Sequence, residues 1–293
     1  MNLILTVLEI VAPVFLLAGL GFLWVKAGFE YRIQFVTRLA MTVAVPCLIF
    51  TALMKTEADL ASLVTLTLAG TVGYTAIGAL GLSLLVVANL NLRTYLAPFI
   101  FGNTGNLGIP LALFAFGQPG LEKAVVMLAL SAILSFTIGI WLVAGRGSFG
   151  KMMKEPMIWA TILGALFLWQ GWETPRFLTN TLDLIGQMAI PLMLITLGVA
   201  VARLTPGRVV TAVWLSLVKL VLCAAVGWGV AHLFGLTGTS FGVLVLQLAT
   251  PVAVTAYLLA EKYEADSEAV AGFVVVSTLT SVIGLPLLLG LLV

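Results

Sequence analysis

The sequence predicts an all-α polytopic membrane protein: ten transmembrane helices in two inverted five-helix repeats, with broken, crossing helices 4 and 9. Three observations carry this expectation. Of 293 residues, 61% are hydrophobic and only 9% charged, with a mean hydropathy of +1.18. A soluble domain carries about 25% charged residues, so too few remain here to cover a water-facing surface. The apolar residues come in runs of about 20, the length of a helix that spans a bilayer. Finally, landmarks in the first half of the chain recur in the second at a nearly constant offset.

Taken in order, the runs place helices at 2–25, 33–54, 60–88, 94–116, 120–143, 156–171, 177–202, 208–234, 239–261 and 267–292. No Lys or Arg precedes Lys26, so the first run lacks the basic region of a signal peptide and reads as a retained helix. The connections are short; the longest polar one is Gly145–Glu155. Those after odd-numbered helices hold Lys26, Arg32, Arg38, Arg93, Arg146, Lys151, Lys154, Arg203, Arg208 and Lys262, against Lys55, Lys123 and Arg176 on the opposite side. Basic residues favour cytoplasmic loops, so both termini are expected outside the cytoplasmic (inner) membrane of the cell. Trp24, Trp141, Trp159, Trp169 and Trp172 fall near helix ends, where an aromatic belt belongs. The scattered basic residues and a net charge of +2 leave no nucleic-acid footprint. Cys47 and Cys223 each sit inside an apolar run and read as small packed residues rather than a disulfide or metal pair.

The repeat rests on four landmarks. Pro46 with Thr51 is echoed by Pro191 with Thr196; Pro110 by Pro251; Pro13 and Gly21 by Pro156 and Gly164; Ser131 and Ser135 by Ser277 and Ser281. The offsets, taken at the first residue of each, are 145, 141, 143 and 146. The expected units are 1–143, a cytoplasmic linker 144–155, and 156–293. Five helices per unit is an odd number, so the second copy enters the membrane from the opposite side, as in many secondary transporters.

Helix 4 carries Phe101-Gly102-Asn103-Thr104-Gly105-Asn106-Leu107-Gly108-Ile109-Pro110. Glycine weakens a helix and proline removes a donor. Unpaired backbone at membrane depth costs several kcal/mol unless protein, water or ligand satisfies it, so this stretch is expected to face a cavity. Gln247-Leu248-Ala249-Thr250-Pro251 is its milder mate. For Pro46 and Pro191, a simple kink and a functional break are equally compatible with the sequence. Half-helices meeting at midplane direct positive N-terminal ends and free carbonyls at a ligand. Lys219, midway along helix 8, is the other candidate: it either counters a substrate carboxylate, changes its protonation in transport, or snorkels to an interface. Glu9 and Asp183 lie nearer span ends and read as structural or interfacial, as does His232, the only histidine. The glycines of helix 4 fit neither a phosphate loop nor a dinucleotide fingerprint, and no hydrolytic constellation appears. No enzyme activity, metal or cofactor is expected.

At helices 4 and 9 the chain resembles the auxin efflux carrier family, on Gly102–Pro110 and on Gln247–Pro251 with Ala260-Glu261-Lys262-Tyr263, Ser277-Thr278 and Ser281. The resemblance extends over the whole chain. It implies a scaffold of helices 1, 2, 6 and 7, a transport domain of helices 3–5 and 8–10, and a crossing at Pro110 and Pro251. The family's crossover asparagine corresponds to Asn103 or Asn106. The long cytoplasmic loop of many plant members is absent. The implied function is a secondary transporter moving a small organic anion, a dicarboxylate such as malate or malonate or an auxin-like acid. The expected substrate-binding set is Asn103, Asn106, Pro110, Gln247, Thr250, Pro251 and Lys219. The amides suit an anion through nitrogen or a cation through oxygen. The alternatives are a sodium-coupled bile-acid-type symporter, a channel-like pore, and a non-transporting membrane receptor or assembly factor. The expected partners are the anion, the lipid bilayer and a second copy of the chain through the scaffold helices.

Overall fold

The computed structural model describes residues 3–56, 59–144, 156–203 and 208–292. The linker Gly145–Glu155, with Arg146, Lys151 and Lys154, and the side chain of Glu9 lie outside the described residues. Among the described residues, six apolar stretches are long enough to cross a membrane, joined by the shorter apolar helices Ala12–Lys26, Pro156–Gln170 and Gly238–Leu248. Among the described residues the only β-type pairing is a single antiparallel bridge, between Gly102 and Val252. Large apolar side chains stand exposed along the helices, among them Leu16, Val87, Val210, Leu233 and Ile283. The five tryptophans predicted near helix ends are exposed as well. Such faces suit lipid, not water. The protein is a multi-pass membrane protein.

The helices are α1 (Leu3–Lys26), α2 (Ile33–Leu39), α3 (Val45–Met54), α4 (Leu60–Val87), α5 (Leu92–Ile100), α6 (Ile109–Leu134), α7 (Ile140–Ala144), α8 (Pro156–Gln170), α9 (Arg176–Gln187), α10 (Ala189–Arg203), α11 (Val209–Leu233), α12 (Gly238–Leu248), α13 (Val254–Lys262) and α14 (Ser267–Leu292). A π-helical turn, Ala40–Ala44, joins α2 to α3 ahead of Pro46. Another, Ser135–Gly139, joins α6 to α7. Within α6 the chain turns a corner at Gly117 (φ 65°, ψ −156°) and Pro119, so the helix is two helices joined at a kink. The run expected as one helix over 177–202 is divided at Met188 into α9 and α10. Pro191 has no N–H for the carbonyl of Gln187, four residues back, and the ladder ends there.

Two sets of helices pack among themselves. α1 lies along α10, and α3 lies between α8 and α9. The first contact is backbone to backbone: a Cβ on Gly21 would stand 2.0 Å from the Ile195 carbonyl oxygen. At Gly164, on α8, a Cβ would meet the Leu53 side chain of α3 at 2.9 Å. Small residues let membrane helices approach this closely, where dispersion rather than burial from water holds them. The second set gathers α11 against α4, α12 and α14, with α6 on α4 and α12.

Side-chain contacts tie the helix ends into two opposite faces. At one end Arg203 Nη2 donates to the Tyr31 carbonyl (2.6 Å), Arg93 Nε to the Val143 carbonyl (2.6 Å), and Arg208 pairs with Asp266 (2.8 Å). At the other, Lys55 pairs with Asp183, and the Thr56 hydroxyl donates to the buried Glu122 carboxylate.

Candidate functional site

Two helices come apart at the centre of the bundle. α5 ends at Ile100, and the chain runs extended through Phe101 and Gly102 before a π-helical turn, Thr104–Gly108, leads into α6. α12 ends at Leu248, and the chain is again unwound until α13 starts at Val254. The unwound segments cross and pair: Asn103 donates its backbone N–H to the Pro251 carbonyl at 2.6 Å, beside the Gly102–Val252 bridge. The next backbone donor, Val252 N–H, goes to Ser277 Oγ at 3.1 Å. Backbone groups that leave their own helices thus find partners across the crossing, which is what membrane depth requires.

The crossing depends on absent side chains. A Cβ on Gly102 would stand 2.2 Å from Thr250 Oγ1, and one on Gly108 would stand 2.3 Å from Gln247 Oε1. It also depends on proline. Pro251 has no N–H for the Gln247 carbonyl, and the Thr250 hydroxyl donates to that carbonyl instead, at 2.7 Å. Pro110 does not lie at the crossing, which corrects the expectation. It sits seven or eight residues beyond Asn103 and Gly102, inside the helix that the π-helical turn Thr104–Gly108 has already begun. The helix unwinds where neighbouring backbone can replace the ladder, and Gly102 permits that approach.

A cavity of about 300 Å³ reaches from the crossing to the end of the bundle that carries Arg93, Arg203 and Arg208. Its deep end is Gly102–Asn106 on one chain segment and Ala253–Ala256 on the other. These are the first residues of the second half of each broken helix, so two helix N-termini, the positive ends of their dipoles, face the space. Its walls are mainly apolar: Met41, Ala97, Pro98, Phe101, Leu128, Ala132, Val143, Met157, Val254 and Leu259. No charged side chain lines it among the described residues.

Asn103 and Asn106 both line this cavity. Asn103 is 5% exposed. Its Oδ1 accepts the Asn106 N–H at 3.2 Å, and its carbonyl accepts the Gly108 N–H at 3.0 Å. With Oδ1 committed, Nδ2 is left as a buried donor without a partner. Asn106 is half-buried and also faces a smaller space of about 40 Å³ toward Thr37 and Thr196. Gln247, Thr250 and Pro251 are buried in the crossing and Pro110 is buried in α6; none of the four lines the cavity. Lys219 is also apart from it, 1% exposed, with Nζ 2.6 Å from the Phe99 carbonyl oxygen.

The cavity adds polar residues that had no assigned role: Thr37, Thr104, Ser131, Ser135 and Thr255. Ser131 and Ser135 are spaced four apart on one helix face and recur as Ser277 and Ser281, a signal present in the sequence. Thr255 had none. On the opposite face of the bundle a separate space of about 430 Å³ is lined by Thr51, Lys55, Gln118, Glu122, Asp183 and Gln187 among others.

Comparison with known proteins gives one family and two relatives. Residues 6–154 and 149–289 match the membrane transport protein family. A protein described as an uncharacterized transporter of Methanothermobacter thermautotrophicus is 28% identical over 297 residues, covering 95% of this chain and 96% of its own. A second uncharacterized transporter, of Methanocaldococcus jannaschii, is 25% identical over 194 residues, covering 63% of each chain.

Proposed function

Because this chain belongs to the membrane transport protein family, as its likeness to the auxin efflux carriers anticipates, we propose that it carries a small organic carboxylate across the cytoplasmic membrane by alternating access. The observation that carries this reading is the crossing at the closed end of a one-sided cavity. A buried amide nitrogen and two helix N-termini meet there, and all of them are donors or positive dipole ends. That set favours an anion over a cation. The Asn103 amide already uses its oxygen to accept the Asn106 N–H, and the atom it leaves without a partner is the donor nitrogen.

The walls narrow the substrate. A dicarboxylate such as malate or malonate would set its second charge against apolar side chains, a costly placement. A monocarboxylate with an apolar body fits both ends. The roles we assign are Asn103 and Asn106 to the carboxylate, and Gln247, Thr250 and Pro251 to holding the crossing.

The packing supports two moving parts. α1, α2, α3, α8, α9 and α10 form the scaffold; α4–α7 and α11–α14 form the transport domain. The contact of Gly21 with α10 and that of Gly164 with α3 correspond under the offset of the repeats, which supports an inverted pair of units. The cavity reaches the end that the basic loops assign to the cytoplasm, which supports reading the protein as inward-facing with both termini outside.

The test is counterflow in proteoliposomes with phenylacetate and indoleacetate beside malonate and malate. Saturable counterflow of the monocarboxylates is expected. Preference for the dicarboxylates overturns the substrate class. Flux without saturation or counterflow makes the protein a pore.

A further inference from the structure

The end of α5 has lost its ladder. In a continuous helix the Phe99 carbonyl accepts the N–H four residues on, which is that of Asn103. Asn103 donates to Pro251 instead, across the crossing. The Phe99 carbonyl therefore stands at the negative end of a broken helix inside the protein, where an unmade bond is costly.

Lys219 meets that carbonyl from α11. Its Nζ lies 2.6 Å from the Phe99 oxygen, 5.7 Å from the centre of the Phe99 ring and 4.0 Å from Cys223 Sγ. Among the described residues no carboxylate forms an ion pair with it. Burial to 1% exposure removes the snorkelling alternative. A carbonyl oxygen at the negative end of a helix and the face of an aromatic ring both attract a monovalent cation, and here they replace the water that burial removes from the ammonium.

We propose that the Lys219 ammonium is a tethered cation: it fills a monovalent-cation site at the carbonyl end of α5 and holds the crossing in shape without touching the substrate. The broken helix then needs no free sodium at this place. Lys219 is a positioning residue, and removing its side chain opens a site for small ammonium ions. This inference stands on the crossing alone and does not depend on which substrate is carried.

The experiment is thermal unfolding of the purified protein in choline chloride, with sodium, ammonium, methylammonium or tetramethylammonium added. The wild-type midpoint is expected to be the same in all of them. Lys219→Ala is expected to fall by about 2–5 °C, the loss of one charged hydrogen bond in a chain of this size. Ammonium or methylammonium restores at least half of that fall, and tetramethylammonium, too large for the carbonyl, restores none. Lys219→Met falls equally and is not restored, because its stem fills the space. Lys219→Ala as stable as wild type, or lowered with no response to ammonium, overturns the proposal. Should Lys219→Ala fail to fold, Lys219→Gln keeps a neutral donor, and hydrogen exchange at the Asn103 amide becomes the readout. Exchange at least tenfold faster than wild type is expected; unchanged exchange overturns the proposal.

Discussion

The side-chain amide of Gln247 fills the space that a Cβ on Gly108 would need, 2.3 Å from Oε1 and 3.0 Å from Nε2, and neither its oxygen nor its nitrogen has a hydrogen-bond partner. An amide that is 0% exposed and unpaired is an expensive thing to keep. Its position beside the crossing makes glycine at 108 obligatory and makes the amide itself a group in waiting.

The first prediction compares three glycines of one motif. Gly102→Ala and Gly108→Ala drive a Cβ into Thr250 and Gln247, at 2.2 and 2.3 Å. Each is expected to lower stability by about 1–3 kcal/mol through overpacking. At Gly105 a Cβ meets only Leu128 Cδ1, at 3.5 Å, an ordinary contact. Gly105→Ala should hold the wild-type midpoint in a thermal shift assay. Equal losses at all three would mean that helix flexibility, not close approach, selects glycine.

Gln247→Met replaces the unpaired amide with an apolar chain of similar shape. The unfolding midpoint should stay level or rise, by about 1 kcal/mol in stability, because a buried unsatisfied group is removed. Transport should fall if the amide finds its partners only when the protein changes state. A destabilised variant with full transport would contradict both halves.

Thr250 covers for the missing donor of Pro251. Thr250→Val leaves the Gln247 carbonyl bare and should cost about 1–3 kcal/mol. Thr250→Ser keeps the hydroxyl and should recover most of it. Chemical unfolding of the two variants side by side decides the matter, and equivalence of Ser and Val would assign the role to the methyl group.

Asn103 tests the sign of the ligand. Asn103→Asp retains an oxygen for the Asn106 N–H and suits a helix N-terminus, so folding should be kept. The free atom changes from donor to acceptor, and carboxylate binding should fall at least as far as in Asn103→Ala, where about 1.5–3 kcal/mol is lost. Titration with phenylacetate is the measurement. Tighter binding of a sodium ion by the aspartate with unchanged carboxylate affinity would move the anion elsewhere.

Sidedness is checked with single cysteines on a background of Cys47→Ala and Cys223→Ala. Ser135→Cys lines the cavity and should react with an impermeant thiol reagent from the cytoplasmic face, more slowly when phenylacetate is bound. Gln118→Cys, on the opposite space, should react from outside. The reverse pattern inverts the orientation.

Much of this arrangement was legible in the residues. Apolar runs and their punctuation located the helices, because a bilayer imposes length and internal hydrogen bonding on every segment. Gly102–Pro110 marked the break because glycine, amide and proline cluster there against their ordinary preferences. The exact point of crossing was not legible. Pro110 is the stronger breaker on paper, yet unwinding occurs at Gly102, since the deciding factor is which backbone lies opposite. Lys219 was legible as an unusual buried charge but not as a neighbour of Phe99, 120 residues away in the chain. Thr255 carries no local signal, since exposure to a cavity is set by the packing of other helices.

The joint between Gly102–Asn103 and Pro251–Val252 is made of main chain. Every amino acid but proline brings the same N–H and C=O to such a joint. Evolution can therefore exchange the side chains around it, Asn106, Ser135 or Thr255, and redirect a carrier to another cargo while the hinge itself stays intact. Diversification of cargo on this scaffold should run through the walls of the cavity, with the glycines at 102 and 108 as the positions where drift is arrested.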